Sequence, residues 1–444
     1  MKAALQRPPL GTSANSLTVT QTRGGTAGAP STWPSALIYP VPRGASVNPN
    51  PSSLADMPQV WGHQRALWTR QTAGLVGTAA GNTSWFVPVS RDHRAATLSS
   101  RGACALHFRL DGSAFEVLFA GTDVQATLIA DGQYASARFI TTTLAAGQPG
   151  APLNQPNAYV RFDFGRRAVR EISLYARSSQ GPCALALDNG DSITAWDRSA
   201  EPAIAVLADS YGSAPSPNWG INGPFWEAAA LLGVPNMDID AIGGTGYAPN
   251  NASNDTRNPG NAFAARVASS VAAVPDLVLV AGGINDNNAL AAHPLYATAA
   301  EARENFERQV RACFTALRVA LPQAVLAATG PWAPRENLPP DAVALSKADT
   351  VRAALQATAG PWVFMDNLRG SWLNSRGTRG GGNGTEPGAN AGPWQTGTGR
   401  AGAPSGSGNG DRWLDSDGVH PNEAGSLGLG SRIATDLRAA LQDL

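Results

Sequence analysis

The chain of 444 residues has little charge of either sign. Lys plus Arg number 33 and Asp plus Glu number 33, so the formal net charge is zero, and charged residues make up only 15% of the sequence. A neutral chain this poor in charge lacks the excess of basic residues that binding to nucleic acid or to an anionic membrane surface requires. We therefore expect neither of them among its partners.

Cysteine and cofactor motifs are equally scarce. The three cysteines, at positions 104, 183 and 313, are too few and too scattered for a disulfide scaffold or a Cys-rich metal site. The sequence has no His-x-x-x-His pair, no P-loop, and no G-x-G-x-x-G fingerprint after a strand. The sequence therefore predicts chemistry that needs neither a metal nor a cofactor.

Long apolar runs are also missing. No stretch reaches the ~18 apolar residues that a membrane span requires. The first residues, MKAALQRPPLGTSANS, contain a lysine but no apolar h-region, so no ordinary signal peptide is expected. This favours an intracellular protein, or one that leaves the cell by another route, for example as part of a phage particle.

The first 200 residues contain two different patterns. Residues 1–60 are rich in Pro, Ser, Thr, Gly and Ala without a sustained period, which predicts an extended arm. Residues 61–200 contain short alternating runs, with Asp-Gly turn signals at 111–112 and 131–132. About eight strands without a helix favour an antiparallel β-sandwich, jelly-roll-like in type. The predicted strands are 84–90, 103–110, 115–119, 126–129, 138–143, 159–164, 171–176 and 184–187.

Residues 201–444 alternate between strand and helix patterns. Such alternation predicts a doubly wound parallel sheet in an α/β domain, with ligands at the carboxyl ends of the strands. A Gly-rich insertion at 368–411 is too long for an ordinary connection and predicts a surface insertion. The predicted strands are 203–208, 237–242, 276–281, 325–328 and 362–365, and the predicted helices are 222–233, 261–273, 301–321, 341–357 and 422–443.

Three of the predicted strands are followed by residues that could take part in catalysis. Ser210 follows the first strand, where its hydroxyl could be a nucleophile or could cap a helix. The glycines of 243–246 follow the second strand and could present backbone N–H groups, or form a plain flexible turn. Asn285 follows the third strand and could donate its amide to a developing oxyanion, or cap the next helix.

A fourth block precedes the last helix. In Asp417-Gly418-Val419-His420, a carboxylate three residues before a histidine could hold the imidazole while its other nitrogen acts as a base. The only other histidine of this region, His293, has no carboxylate at a comparable short spacing. If the domain uses a histidine base, His420 is the candidate.

Together the four blocks resemble the SGNH, or GDSL-type, hydrolases, and they follow one another in that family's order over residues 203–444. The resemblance implies that Ser210 is the nucleophile and that Asp417 and His420 complete a triad. It also implies an oxyanion hole made by the Ser210 N–H, the Gly244 N–H and the Asn285 side chain, with Gly243 and Gly246 as alternatives for the glycine. The first block departs from the usual Gly-Asp-Ser in having Ala208.

The preceding β-rich region resembles, in architecture, the jelly-roll modules of two-domain carbohydrate esterases. We therefore expect a serine esterase that removes small acyl groups, O-acetyl in particular, from a polysaccharide through an acyl-enzyme. Trp219 and Trp413 are candidate substrate-binding residues, as are Trp226 and Trp332 nearby, and each could instead pack in the core. The alternatives are a lipid-ester or thioester hydrolase, and a phage virion or surface binding protein that carries an SGNH domain.

Overall fold

The structure of the chain, a computed structural model, divides into two compact units, Leu10–Glu201 and Pro202–Leu444, the latter together with Met1–Pro9. It describes residues 17–22, 37–40, 75–76, 85–86, 103–119, 125–135, 140–141, 158–177, 182–188, 190–194, 201–213, 223–234, 236–248, 262–271, 274–289, 298–333, 340–373, 394–395, 399–400, 413–414 and 418–444.

An antiparallel sheet forms the first unit. Its strands pair in the order β2-β10-β5-β9-β6-β7, while β1 pairs with β9, β8 with β6, and β11 with β5. A separate two-stranded pair is formed by β3 and β4. β1 and β2 belong to the segment predicted as an arm, which therefore contributes strands to this sheet. The strands are β1 Thr18–Thr22, β2 Leu37–Pro40, β3 Leu75–Val76, β4 Trp85–Phe86, β5 Ala103–Phe119, β6 Gln125–Ala130, β7 Gln133–Tyr134, β8 Ile140–Thr141, β9 Ala158–Arg177, β10 Pro182–Leu187 and β11 Ser192–Thr194.

The two longest strands correct the prediction that Asp111-Gly112 is a turn. β5 and β9 each run continuously where the sequence predicted two strands, and they pair along their whole length with one register shift. At that shift, residues 164–167 of β9 lie opposite Ser113 alone, so the extra backbone bulges out instead of reversing the chain. Asp191 accepts a hydrogen bond from the Ser113 N–H at 3.3 Å, and Arg167 donates to Asp111 at 2.9 Å. These contacts hold the bulge inside the sheet.

The second turn signal is confirmed. Asp131 and Gly132 have φ values of 52° and 75° and connect β6 to β7 as a two-residue hairpin. Both central residues of a type I′ turn need positive φ, which Asp-Gly accepts at low cost.

A parallel five-stranded sheet forms the core of the second unit, as predicted. Its order is β13-β12-β14-β15-β16, and every neighbouring pair is parallel. Ala208 at the end of β12 pairs with Ala241 of β13 and with Ala281 of β14, so these three strands end level with one another. The strands are β12 Ile204–Ala208, β13 Met237–Ala241, β14 Leu277–Ala281, β15 Val325–Thr329 and β16 Trp362–Met365. A short hairpin of β17 Trp394–Gln395 and β18 Gly399–Arg400 lies in the predicted insertion.

Helices cover this sheet on both faces. Helices α3, α4 and α5 share one apolar core with β12, β14 and β15, whereas α2 and α6 pack against each other and α6 packs on β16. None of the described helices is both long and apolar enough to span a membrane. The helices are α1 Ser210–Ser213, α2 Pro224–Leu231, α3 Phe263–Val271, α4 Ala299–Ala320, α5 Ala342–Gln356 and α6 Glu423–Gln442, with a 3-10 helix at Ile284–Ala289.

Candidate active site

Three neighbouring strand ends bring the predicted residues to one edge of the parallel sheet. Ser210 follows β12, the Gly243–Gly246 loop follows β13, and Asn285 follows β14. Because β12 lies between the other two and all three end level, their loops emerge side by side. This edge is where doubly wound sheets bind their ligands.

A tight turn presents Ser210 at the start of α1. The buried Asp209 carboxylate accepts the Tyr211 N–H through Oδ1 at 3.0 Å, and the Asp209 carbonyl accepts the Gly212 N–H at 3.1 Å. A Cβ atom on Gly212 would lie 2.6 Å from the Cβ of Ala241, so the turn approaches β13 closely and only glycine fits. The turn leaves the Ser210 side chain half-buried instead of enclosed.

The glycine loop and Asn285 are joined by a direct hydrogen bond. The Asn285 Nδ2 atom donates to the Thr245 carbonyl at 2.9 Å. Thr245 is held in turn, because its hydroxyl donates to the Ile242 carbonyl at 2.7 Å. Gly244 has a φ of 76°, in the left-handed region that favours glycine. An amide nitrogen carries two hydrogens, so the bond to Thr245 orients the Asn285 amide without using its whole donor capacity.

Tyr211 connects two segments. They are the turn at 209–212, here called the serine turn, and residues 418–420, here called the histidine loop. Its hydroxyl donates to the Val419 carbonyl at 2.5 Å, and its ring centroid lies 6.0 Å from that of His420. The Tyr211 ring is stacked on Trp332, with centroids 4.5 Å apart and planes 4° apart. The residue after Ser210 thus binds the residue before His420, although 208 positions of the chain separate the two partners.

A buried ion pair lies beneath the serine turn. Arg266 donates through Nη1 to the Asp240 Oδ1 atom at 2.8 Å and through Nη2 to the Ala208 carbonyl at 2.9 Å. Its Nη2 also reaches the Thr245 hydroxyl at 3.4 Å. The Ser270 hydroxyl donates to the other oxygen of Asp240 at 3.1 Å. One guanidinium therefore links the end of β12 to the glycine loop.

Two buried carboxyls of the site have raised pKa values. Burial raises the pKa of Asp209 to about 7, although the Tyr211 N–H and the charge of His420 act in the opposite direction. Burial likewise raises the pKa of Asp286 to about 6, against the attraction of Lys347. Such carboxyls, held in a dry environment close to candidate reacting groups, are typical of functional sites.

Two of the predicted site residues, Asp417 and Trp219, lie outside the described residues, as does His293. Trp413 is half-buried, and its indole ring lies on α6, where a Cβ atom on Gly428 would come within 2.5 Å of it. Trp226 and Trp332 are buried, which is the core-packing alternative considered for them. Within the described ranges, no three His, Cys, Asp or Glu side chains are grouped to hold a metal ion.

The sequence interpretation missed several residues that shape this site. Arg266 and Lys347 both lie on the apolar faces of their helices, one turn from the buried Phe263 and Val351 respectively. A charged residue at a position where helical periodicity predicts burial is the available signal. Tyr211 gave no such signal, since its partner Val419 comes from a distant loop.

No family model matches the sequence, and no curated protein matches it. Solved structures do match. A family two carbohydrate esterase from Clostridium thermocellum, in complex with cellohexaose, has 13% identity and a TM-score of 0.47, over 80% of this chain and 99% of that one. A GDSL-like lipase from Bacteroides ovatus has 12% identity and a TM-score of 0.42, over 77% and 84% of the two chains.

A third similar structure is the salicylyl-acyltransferase SsfX3 from a tetracycline biosynthetic pathway. It has 14% identity and a TM-score of 0.48, over 79% of this chain and 85% of that one. At such low identities the likeness concerns architecture and does not extend to activity.

Proposed function

We propose that this chain is a serine ester hydrolase of the SGNH type, with Ser210 as nucleophile and His420 as general base. The observation that carries the proposal is the hydrogen bond from the Tyr211 hydroxyl to the Val419 carbonyl. It joins the two segments that would have to meet for a hydroxyl and an imidazole to act on one carbonyl. Asp417, carried over from the family resemblance, would hold the imidazole tautomer.

The proposed reaction proceeds in two balanced halves. The Ser210 oxygen attacks the ester carbonyl while His420 takes its proton, and the tetrahedral oxyanion accepts hydrogen bonds from the Ser210 N–H, the Gly244 N–H and the Asn285 amide. Collapse breaks the ester bond, and the leaving alcohol takes the proton from His420. Water, deprotonated by His420, then attacks the acyl carbonyl of the acyl-enzyme. The ester bond to Ser210 breaks, the acid leaves, and His420 returns the proton to the Ser210 oxygen.

The substrate we propose is a small acyl ester, O-acetyl in particular, on a neutral polysaccharide. A chain without net charge suits a neutral glycan better than a strongly anionic polymer, which a basic surface would be needed to hold. Trp219 and Trp413 belong to this proposal as aromatic surfaces for a sugar ring. A panel of esters from acetate to octanoate tests the choice, because a preference for octanoate would favour a lipid-ester hydrolase instead.

The nucleophile is tested by Ser210→Ala, with Ser346→Ala as the matched control because Ser346 is an exposed serine on α5. We expect Ser210→Ala and His420→Ala to abolish acetate release from a chromogenic acetate ester and from acetylated glycans, without unfolding the chain. Asn285→Ala should retain residual activity, about 10²–10³-fold below the unmodified chain, since one oxyanion donor is lost. Normal turnover by Ser210→Ala would refute the assignment.

A further inference from the structure

Lys347 is a buried cation behind the candidate oxyanion loops. Only 2% of the residue is exposed. Lys347 lies on α5, and other residues of this helix belong to the apolar core. Its Nζ atom donates to the Gly283 carbonyl at 3.1 Å. Gly283 has a φ of 115° and lies two residues before Asn285, in the loop after β14. The ammonium thus binds the backbone of the loop that positions the Asn285 amide.

Asp286 holds the other loop. Its Oδ2 atom accepts the Tyr247 N–H at 3.1 Å, and its Oδ1 atom accepts the Ala248 N–H at 2.9 Å. The same carboxylate occupies the space that a Cβ atom on Gly246 would need, so the glycine loop closes directly over it. Asp286 therefore ties the loop after β14 to the backbone that follows β13.

Gly283 lies beside both charged groups in this dry environment: its carbonyl accepts the Lys347 hydrogen bond, and a Cβ atom on it would lie 3.9 Å from the Asp286 Oδ2 atom. Burial lowers the pKa of Lys347 to about 8, and the negative charges of Asp286 and Asp341 act against that shift. Burial raises the pKa of Asp286 to about 6, and the positive charge of Lys347 acts against that shift. Among the described residues, Asp209 and Tyr247 are also coupled electrostatically to Asp286. Each charge therefore shifts the pKa of the other in the direction that favours the charged form.

We propose that Lys347 and Asp286 are positioning residues that fix the Gly244 N–H and the Asn285 amide in the geometry of an oxyanion hole. The inference rests on the proposed function and adds to it the pair that holds its donors. Neither residue needs to touch the substrate. Removing one partner leaves a buried charge uncompensated, which destabilises the arrangement around it. The loop would then relax, and a displacement of about 1 Å at reacting groups costs on the order of 10²-fold in rate.

The test compares Lys347→Met with Arg318→Met. Arg318 also donates to backbone carbonyls from a helix, to Ala324 at 2.8 Å and Pro361 at 2.7 Å, but these precede β15 and β16 at the opposite end of the sheet. We expect Lys347→Met to lower kcat on an acetate ester about 10- to 100-fold, with KM changed less than about threefold. Arg318→Met should lower thermal stability and leave kcat unchanged.

A second variant distinguishes loss of the charge pair from simple misfolding. Asp286→Asn keeps the shape of the side chain and should lower kcat as Lys347→Met does. In the double variant no buried charge is left uncompensated, so its loss of kcat should be smaller than the product of the two single losses. A loss of kcat in the double variant equal to the product of the two single losses would overturn the inference that the two residues act as a pair.

Labelling by an organophosphonate ester separates this inference from the proposed function. If the unmodified chain neither hydrolyses the acetate ester nor is labelled at Ser210, the proposed function fails. If the unmodified chain is active and Lys347→Met retains its kcat, only the positioning role fails. If Lys347→Met is folded, is labelled at Ser210 more slowly and has a lowered kcat, the positioning role is supported.

Discussion

At the scale of single residues, Tyr211 is the side chain whose removal tells most about the site. We expect Tyr211→Phe to lower kcat about tenfold, because the histidine loop loses its hydrogen bond to the serine turn. The free energy of unfolding should fall by about 1 kcal/mol. Ester kinetics and urea denaturation measure the two effects.

Tyr247→Phe is the matched control for that prediction. The Tyr247 hydroxyl is buried and has no hydrogen-bond partner among the described residues. Removing it should therefore leave kcat unchanged and leave stability equal or slightly higher, since an unsatisfied buried group is costly. Equal losses of kcat in both variants would contradict the role given to Tyr211.

The sequence was informative about where the candidate site residues lie and much less so about which residues support them. The positions of Ser210, Gly244 and Asn285 could be predicted because each lies shortly after a recognisable strand. The buried charges beneath them could not be paired from sequence, because Arg266 and Asp240 meet only once helix α3 packs on the sheet. Local patterns specify where a loop begins, whereas the partners of a buried charge depend on tertiary packing.

At the scale of elements, the start of α6 is coupled to the histidine loop. The Asn422 side chain caps this helix by accepting the Gly425 N–H at 2.9 Å, and its amide donates to the Leu414 carbonyl at 3.3 Å. We expect Asn422→Ala to cost about 1 kcal/mol of stability and also to lower kcat, because His420 lies two residues before the cap. Thermal unfolding and ester kinetics measure the two effects.

Thr298→Ala is the corresponding control. Thr298 caps α4 by accepting the Glu301 N–H at 3.2 Å, so its loss should have a similar cost in stability. Helix α4 packs in the apolar core with α3 and α5, whereas α6 packs on α2 and β16, so kcat should stay unchanged. An unaltered kcat in Asn422→Ala would show that the cap and the base are independent.

The elements of the parallel sheet were predicted within a few residues, because fully apolar runs alternating with amphipathic helices have few other solutions. The antiparallel sheet was predicted less well. Asp111-Gly112 and Asp131-Gly132 carry the same turn signal, yet only the second reverses the chain. The difference lies in Arg167 and Asp191, which hold the first site extended, opposite the bulge of β9, through contacts remote in sequence.

At the scale of the whole molecule, the buried carboxyls predict how stability changes with pH. The pKa of Asp209 is raised from 3.8 to about 7, and that of Asp286 to about 6. A raised carboxyl pKa contributes stability that is fully present below about pH 4 and is lost as the pH rises through the folded-state pKa. We expect the free energy of unfolding, from urea titrations, to fall between about pH 4 and about pH 7.

Asp209→Asn and Asp286→Asn should each flatten that decline, because an amide does not titrate. Lys347 acts at the other end of the range. Its pKa is lowered from 10.5 to about 8. Its contribution to the free energy of unfolding is therefore fully present above the unfolded-state pKa and is lost as the pH falls through about 8. An unfolding free energy that rises steadily from acid to neutral pH in the unmodified chain would contradict this account of the buried groups.

The last helix docks through its side chains. Leu429, Ile433, Leu437 and Leu441 form a buried stripe along α6, and Arg438 donates to the Leu231 carbonyl of α2 at 2.9 Å. The proposed base, residue 420, therefore belongs to a C-terminal segment that could be supplied as a separate polypeptide. We expect a synthetic peptide of residues 413–444 to complement a chain truncated after Leu373, with esterase turnover reporting reassembly of the two fragments.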